Sequence, residues 1–349
     1  MSAERQTWQS DESFSLEYGG TLSSLQLAYH SWGSLNESGD NVLLITHALT
    51  GSSNIKEWWA PVVGPGKPID TDEFFVLCIN NLGSPYGSTS PLTYAEAGKN
   101  PADFPQVTIR DTVHAHKLVL DALGITELRS VIGGSMGGML SLEWALLYPD
   151  LVQSLVSIGS SARHSAWCIG ISALQRDAIT SDPLWKHGQY GDTQPSEGLA
   201  LARKIAMTSY RSPASFDTRF GRELKNPEDS YYQVESYLDY QGKKLVDRFD
   251  ANCYLVLTEI MDTHDVGRNR GGHIPALRSI IQPSLIIGID SDILYPPEEQ
   301  QELDEHILNG KYYEINSENG HDAFLIDFEQ VKKALEQFSK KYWSPVMAS

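Results

Sequence analysis

Two stretches of the chain bring together residue types that could carry out nucleophilic chemistry. The first is Val131-Ile132-Gly133-Gly134-Ser135-Met136-Gly137-Gly138-Met139, with a serine at the centre of Gly-x-Ser-x-Gly. It follows a β-branched run and precedes a helical pattern, the context in which a serine is lifted onto a sharp strand-to-helix turn. The glycines have a steric reason, because such a turn strains the serine backbone and leaves no room for neighbouring side chains. The second stretch is Asn319-Gly320-His321-Asp322-Ala323-Phe324-Leu325, after the last strand-like run. A serine hydroxyl is a poor nucleophile until a base takes its proton, and His321 is placed to be that base. For the acid that orients the imidazole, Ile289-Asp290-Ser291-Asp292-Ile293 offers two carboxylates. Asp290 adjoins a strand and suits a turn cap. Asp292 lies at the loop tip, so it is chosen to hold the His321 tautomer and stabilise the imidazolium.

The anion formed on acyl attack needs two backbone amides. Met136, the residue after the serine, supplies one; Leu49, in the loop His47-Ala48-Leu49-Thr50-Gly51-Ser52 after an early strand, is chosen for the other. His47 then reads as a structural histidine fastening that loop. His114, His116, His264, His273 and His306 read as packing or surface residues. Cys78, Cys168 and Cys253 are too few and too irregularly spaced for a disulfide framework or a zinc site, and no metal is expected.

The elements that must position these groups are legible as apolar periodicity. Strands are predicted over Asn41–Thr46, Phe74–Ile79, Leu128–Ile132, Leu155–Ile158, Ser284–Ile289 and Tyr312–Ile315. Helices are predicted over Asp111–Leu123, with Gly124 as its stop, and over Met136–Tyr148, ended by Pro149. Strand and helix in alternation argue for an α/β fold with a mostly parallel sheet flanked by helices. From Ala166 to Arg278 the pattern turns helical, with helices expected at Ser196–Tyr210, Ser230–Phe249 and Asn252–Met261. A core of residues 1–165 and 279–349 with a helical cap of 166–278 inserted over the sheet's C-terminal edge is the expected organisation.

Composition narrows the function classes. The 349 residues are 41% hydrophobic and 21% charged, ordinary for a globular chain. The net charge of −18, from 27 Lys plus Arg against 45 Asp plus Glu, argues against nucleic acid and anionic membrane as partners. The N-terminal residues lack the apolar stretch of a secretory signal, and no long apolar run suggests a membrane span, so a cytoplasmic location is expected.

Further segments carry a resemblance. They are Thr46-His47-Ala48-Leu49-Thr50-Gly51, Trp58-Trp59, Val63-Gly64-Pro65-Gly66-Lys67-Pro68-Ile69-Asp70-Thr71, Asn81-Leu82-Gly83 through Tyr86-Gly87-Ser88-Thr89, Phe104-Pro105, and Thr108-Ile109-Arg110-Asp111. With the serine turn, Ser291-Asp292, Tyr295-Pro296-Pro297 and Gly320-His321-Asp322, they resemble the homoserine O-acetyltransferase family of the α/β-hydrolase superfamily, from about Phe14 to Tyr342. The order Ser135, Asp292, His321 is also that of α/β-hydrolases. The resemblance implies transfer of acetyl from acetyl-CoA to the hydroxyl of L-homoserine through acyl-Ser135, in methionine biosynthesis. It also implies acetyl-CoA as co-substrate, no bound cofactor, and a homodimer. Arg203 and Tyr210 match the family's cap residues that face the site, and their spacing of seven puts both on one helical face. By the same resemblance Arg203 would clamp the acceptor carboxylate and Asp322 would take its ammonium. Related enzymes use succinyl-CoA or accept L-serine, and a water-using esterase could be built on the same triad. The loop Gly83-Ser84-Pro85-Tyr86 departs from many relatives, which carry a cysteine or another residue in place of Pro85.

Overall fold

The computed structural model describes residues 4–228 and 230–343. Each of the six apolar runs forms a strand, and two N-terminal strands add to them: β1 (Gln6–Ser10), β2 (Leu25–Trp32), β3 (Val42–Thr46), β4 (Phe75–Ile79), β5 (Leu128–Gly134), β6 (Leu155–Ile158), β7 (Ser284–Ile289) and β8 (Gly310–Ile315). They pair in the order β1-β2-β4-β3-β5-β6-β7-β8. The run from β4 to β8 is parallel, while β2 is antiparallel to both β1 and β4. Gln26, His30 and Ser31 interrupt the apolar pattern of β2, which is why periodicity alone does not reveal it.

Central strands are apolar on both faces because helices cover both faces. In β3, Val42 and Leu44 join one buried cluster with Val131, Met139 and Leu140, whereas Leu43 and Ile45 join the other with Ile132, Val156, Ile287 and Phe324. The helix α1 (Ile109–Ala122) starts at a capping box. Thr108 Oγ1 accepts from Asp111 N at 3.0 Å, and Thr108 N donates to Asp111 Oδ2 at 2.9 Å. Gly124, at φ +70°, follows its end. The helix α2 (Met136–Leu147) is buried along almost its whole length.

Between β6 and β7 the chain makes the helices α3 (Ala166–Thr180), α4 (Ser196–Tyr210), α5 (Gln233–Val246), α6 (Ala251–Asp262) and α7 (His273–Arg278). A Cβ on Gly242 would lie 3.0 Å from Ala200 O, a tight contact that glycine avoids where α5 crosses α4. The sequence expects the α5 helix from Ser230, but Tyr231–Tyr232 instead pairs with Leu224–Asn226 as a short ribbon, and the helix begins at Gln233. The excursion leaves and returns at one place: His164 N donates to His264 O at 2.9 Å, and Val266 N to Ala162 O at 3.0 Å. Just past this neck, Arg270 and Arg110 both pair with the buried Glu143 of α2, and Arg268 pairs with Glu17. The chain closes with α8 (Pro297–His306) and α9 (Phe328–Tyr342). Among the described residues, no helix is long and apolar enough to cross a membrane.

Candidate active site

Ser135 sits between β5 and α2 at φ 57°, ψ −125°, a conformation that costs a side-chain-bearing residue ~1–3 kcal/mol. The surrounding glycines hold it there. A Cβ on Gly133 would lie 2.2 Å from Thr46 Oγ1, on Gly137 2.1 Å from Thr46 O, on Gly138 2.6 Å from Ser160 Cβ, and on Gly134 2.6 Å from the Phe324 ring. These approaches bring three segments against the turn, at Thr46, Ser160 and Phe324. Ser135 N donates to Ile158 O at 2.8 Å, tying the serine to the end of β6.

His321 meets the same strand end, since a Cβ on Gly159 would lie 3.5 Å from the His321 ring. Its Nδ1 is 2.7 Å from Asp292 Oδ2, and both side chains are buried. The other Asp292 oxygen accepts from Leu294 N at 2.8 Å and Tyr295 N at 2.9 Å, so the carboxylate cannot rotate away. Asp290 faces elsewhere, accepting from Ser317 N at 3.0 Å. An acceptor at Nδ1 fixes the proton there and leaves Nε2 as the free base. Burial alone would lower the His321 pKa, but the charge and hydrogen bond of Asp292, with Asp322 adding to them, outweigh it and raise it. Tyr210, Tyr295 and Phe324 surround the imidazole, with ring centroids 5.7, 5.3 and 5.7 Å away.

The loop carrying Leu49 lies against the first turn of α2, as the approach of Gly137 to Thr46 requires. His47 Nε2 accepts from Asn81 N at 3.2 Å, so its proton is on Nδ1, 2.9 Å from Ala48 O. Burial lowers its pKa to about 4, so His47 stays neutral and acts as a fastener for the loop. Asn81 Nδ2 also reaches Met136 Sδ at 3.8 Å, joining the loop to the residue after the serine.

From the segment between β6 and β7, α4 delivers Arg203 and Tyr210 to one spot, with the guanidinium carbon 5.4 Å from the phenol centroid. Tyr210 packs on His321, and the Arg203 charge acts on Asp322. Burial raises the Asp322 pKa above the usual carboxylate value, and Arg203, Arg211 and His321 offset only part of that rise. The structure therefore brings Ser135, His321 and Asp292 to one end of the sheet, with Tyr210 packed on His321, Arg203 and Asp322 beside it, and the Leu49 loop against the turn that carries Met136.

The sequence and the fold are matched by known proteins. Residues 41–328 match the alpha/beta hydrolase fold family. A homoserine O-acetyltransferase of Chloroherpeton thalassium (strain ATCC 35110 / GB-78) is 52% identical over 329 residues, covering 93% of this chain and 86% of that one. The chain belongs to the homoserine O-acetyltransferase family. The crystal structure of a homoserine O-acetyltransferase from Bacillus anthracis superposes with a TM-score of 0.91 at 26% identity, over 99% of each chain. That of esterase E22 gives 0.88 at 27% identity, over 96% of this chain and 99% of that one.

Sequence reasoning missed one charged residue of this homoserine O-acetyltransferase family site. Arg211 Nη1 donates to Asn319 Oδ1 at 2.7 Å, and Arg211 Nε lies 3.4 Å from Asp322 Oδ2. Arg211 has left the helix, with φ −110° and ψ 147°, so the helical spacing that selects Arg203 and Tyr210 cannot select it. Its position directly after Tyr210 was the available signal. Nothing in the structure explains the choice of Pro85.

Proposed function

We propose that this protein is a homoserine O-acetyltransferase that carries acetyl from acetyl-CoA to the side-chain hydroxyl of L-homoserine through an acyl-Ser135 intermediate. The observation that carries the reading is the buried Asp292–His321 pair beside the strained Ser135, in a chain 52% identical to a homoserine O-acetyltransferase. With its Nδ1 proton held by Asp292, His321 takes the Ser135 proton at Nε2. The serine oxygen attacks the thioester carbonyl, and the amides of Leu49 and Met136 receive the oxyanion; each such donor contributes roughly 10²- to 10³-fold in rate. Collapse of the adduct breaks the C–S bond, and His321 returns its proton to the departing CoA thiolate. Homoserine then enters, His321 accepts the proton of its hydroxyl, and the oxygen attacks the acyl carbon. The ester leaves and Ser135 regains its proton. In this reading residues 166–278 form the cap, Arg203 holds the acceptor carboxylate with Tyr210 packed beside it, and Asp322 takes the ammonium. No metal or bound cofactor enters these steps, and acetyl-CoA comes and goes as a substrate.

A water-using esterase is the second reading, favoured by the match to esterase E22. Incubation with acetyl-CoA, with and without homoserine, separates the two. The transferase gives O-acetylhomoserine and CoA release that depends on homoserine, whereas equal release of acetate and CoA either way would establish the esterase. Acetyl- and succinyl-CoA set against homoserine and serine would fix both substrates, with acetyl-CoA and homoserine the expected pair.

We infer a cytoplasmic homodimer. The three cysteines are buried free thiols, which suits a reducing compartment. On the outer face of α3, Trp167 and Leu174 are 53% and 56% exposed, a surface suited to another cap. Sedimentation at micromolar concentration tests the dimer. The net charge of −18 supports neither nucleic acid nor an anionic membrane as partner.

A further inference from the structure

The end of α4 grips the loop that carries the base. Ser212 Oγ donates to Glu318 O at 2.6 Å, and Arg211 Nη1 donates to Asn319 Oδ1 at 2.7 Å. Gly320, at φ +63°, passes so close that a Cβ there would lie 2.7 Å from Ser212 N and 2.8 Å from Tyr210 O. From the other side, Gly320 N donates to Ser291 Oγ at 3.0 Å, and Asn319 Nδ2 to Asp327 Oδ2 at 3.1 Å. Within this grip, Arg211 Nε lies 3.4 Å from Asp322 Oδ2 and has no hydrogen-bond partner, although it is buried. The guanidinium is thus anchored at one end by Asn319 and holds Asp322 by charge at the other, without occupying the carboxylate in a tight hydrogen bond. The charged groups acting on Asp322 are Arg203 from α4, Arg211 from the segment after it, and His321 and Asp292 from the core. Arg203 is spoken for in the proposed reaction, and His321 must lose its charge to act as a base. Arg211 is the cation left to keep Asp322 in place and anionic throughout turnover.

We propose that Arg211 is a positioning residue for acceptor selection, holding the Asp322 carboxylate so that it receives the α-ammonium of an amino-acid acceptor. This rests on the reading of Asp322 as the ammonium site. Selectivity for an amino acid over a hydroxy acid of the same length therefore depends on the pairing of a cap residue with a loop residue. Homoserine and 4-hydroxybutyrate make the probe, because both carry the carboxylate and the hydroxyl and only homoserine carries the ammonium.

The test measures KM and kcat for both acceptors, and the burst of CoA from acetyl-CoA, in the wild type, Arg211→Ala, Arg211→Lys and Asp322→Asn. In Arg211→Ala the KM for homoserine should rise about tenfold or more while that for 4-hydroxybutyrate moves less than about twofold, a differential of about fivefold or more, ~1 kcal/mol. Arg211→Lys should recover part of the difference, since an ammonium keeps the charge but not the planar fork that reaches both Asn319 and Asp322. Asp322→Asn should erase the preference between the two acceptors. If Asp322→Asn erases it and Arg211→Ala does not, the proposal for Arg211 falls and the ammonium site stands. If Asp322→Asn leaves the preference intact, the ammonium site itself is wrong. Loss of the CoA burst together with both acceptors in Arg211→Ala and Arg211→Lys alike would make Arg211 a prop for His321 and overturn the proposal. So would a fall in the homoserine KM, which would make Arg211 a competitor of the ammonium.

Discussion

The serine turn and the C-terminal end of α4 both pack against the loop that carries His321, and they are built by opposite means. At the turn almost everything is backbone: four glycines, a strained serine, and strand ends that approach to distances where a Cβ would collide. At the end of α4 almost everything is side-chain charge: Arg203, Arg211 and Asp322, with partners supplied by a loop of the core. Backbone geometry is set once and serves any acyl group, whereas side-chain charges select one acceptor and are replaced one residue at a time. In the proposed reaction, bond making falls to the core and choice of acceptor to the junction of α4 with the core loop that carries Asp322.

Substitutions on each side test that division. Ser135→Ala should have the largest effect, a loss of ~10³-fold or more in kcat with the fold intact, because it removes the nucleophile from both half-reactions. Retention of more than about a tenth of the activity would rule out the acyl-serine route. Arg203→Ala should lower transfer to homoserine ~30-fold to ~1000-fold, since a charge-assisted contact in a closed site contributes ~2–4 kcal/mol. The CoA burst from acetyl-CoA should persist in it, and Arg203→Lys should rescue poorly. A burst that vanished with turnover would move Arg203 to the donor side and blur the comparison. Gly137→Ala pushes a methyl toward Thr46 O and should shift the Leu49 loop. A displacement of ~1 Å costs ~10²-fold, and both half-reactions should fall together, with a lower Tm.

The smallest effect is on pH dependence. His321 works as a base only when neutral, and Asp292 and Asp322 both favour its charged form. The acid limb of kcat/KM for acetyl-CoA should therefore lie above the ordinary imidazole value of ~6.5. Asp322→Asn removes one of the two negative charges, so the limb should move to lower pH. A limb that stayed put would mean that Asp322 does not act on the base.

How much of this was legible beforehand follows the same division. The residues of the turn could be read because a strained turn needs glycine at neighbouring positions, and neighbours in sequence are visible. The order Ser135, Asp292, His321 followed from placing one histidine and one carboxylate after the right strands, and Asp292 was separable from Asp290 by its place at the loop tip. Strand β2 was hidden because Gln26, His30 and Ser31 are polar in a strand whose other residues are buried. Arg211 was hidden because its partners, Asn319 and Asp322, lie 108 residues and more further along the chain, and nothing local says that the two segments touch. Arg203 and Tyr210 were found through the family resemblance, since helical spacing alone fits many solvated cations.

The neck, where Ala162–His164 runs antiparallel to His264–Val266, has a consequence for how such a protein can change. A long excursion whose two ends are already held side by side adds little to the entropy of closing the core, because closure cost grows only slowly with the length enclosed. Such an insert behaves like a cartridge: it can lengthen, shorten or be exchanged while the sheet beneath keeps its register. One restraint on the exchange is the seam at Gly320, where Tyr210 and Ser212 leave no room for a side chain. A transplanted cap would have to reproduce that seam before its own selectivity could be expressed.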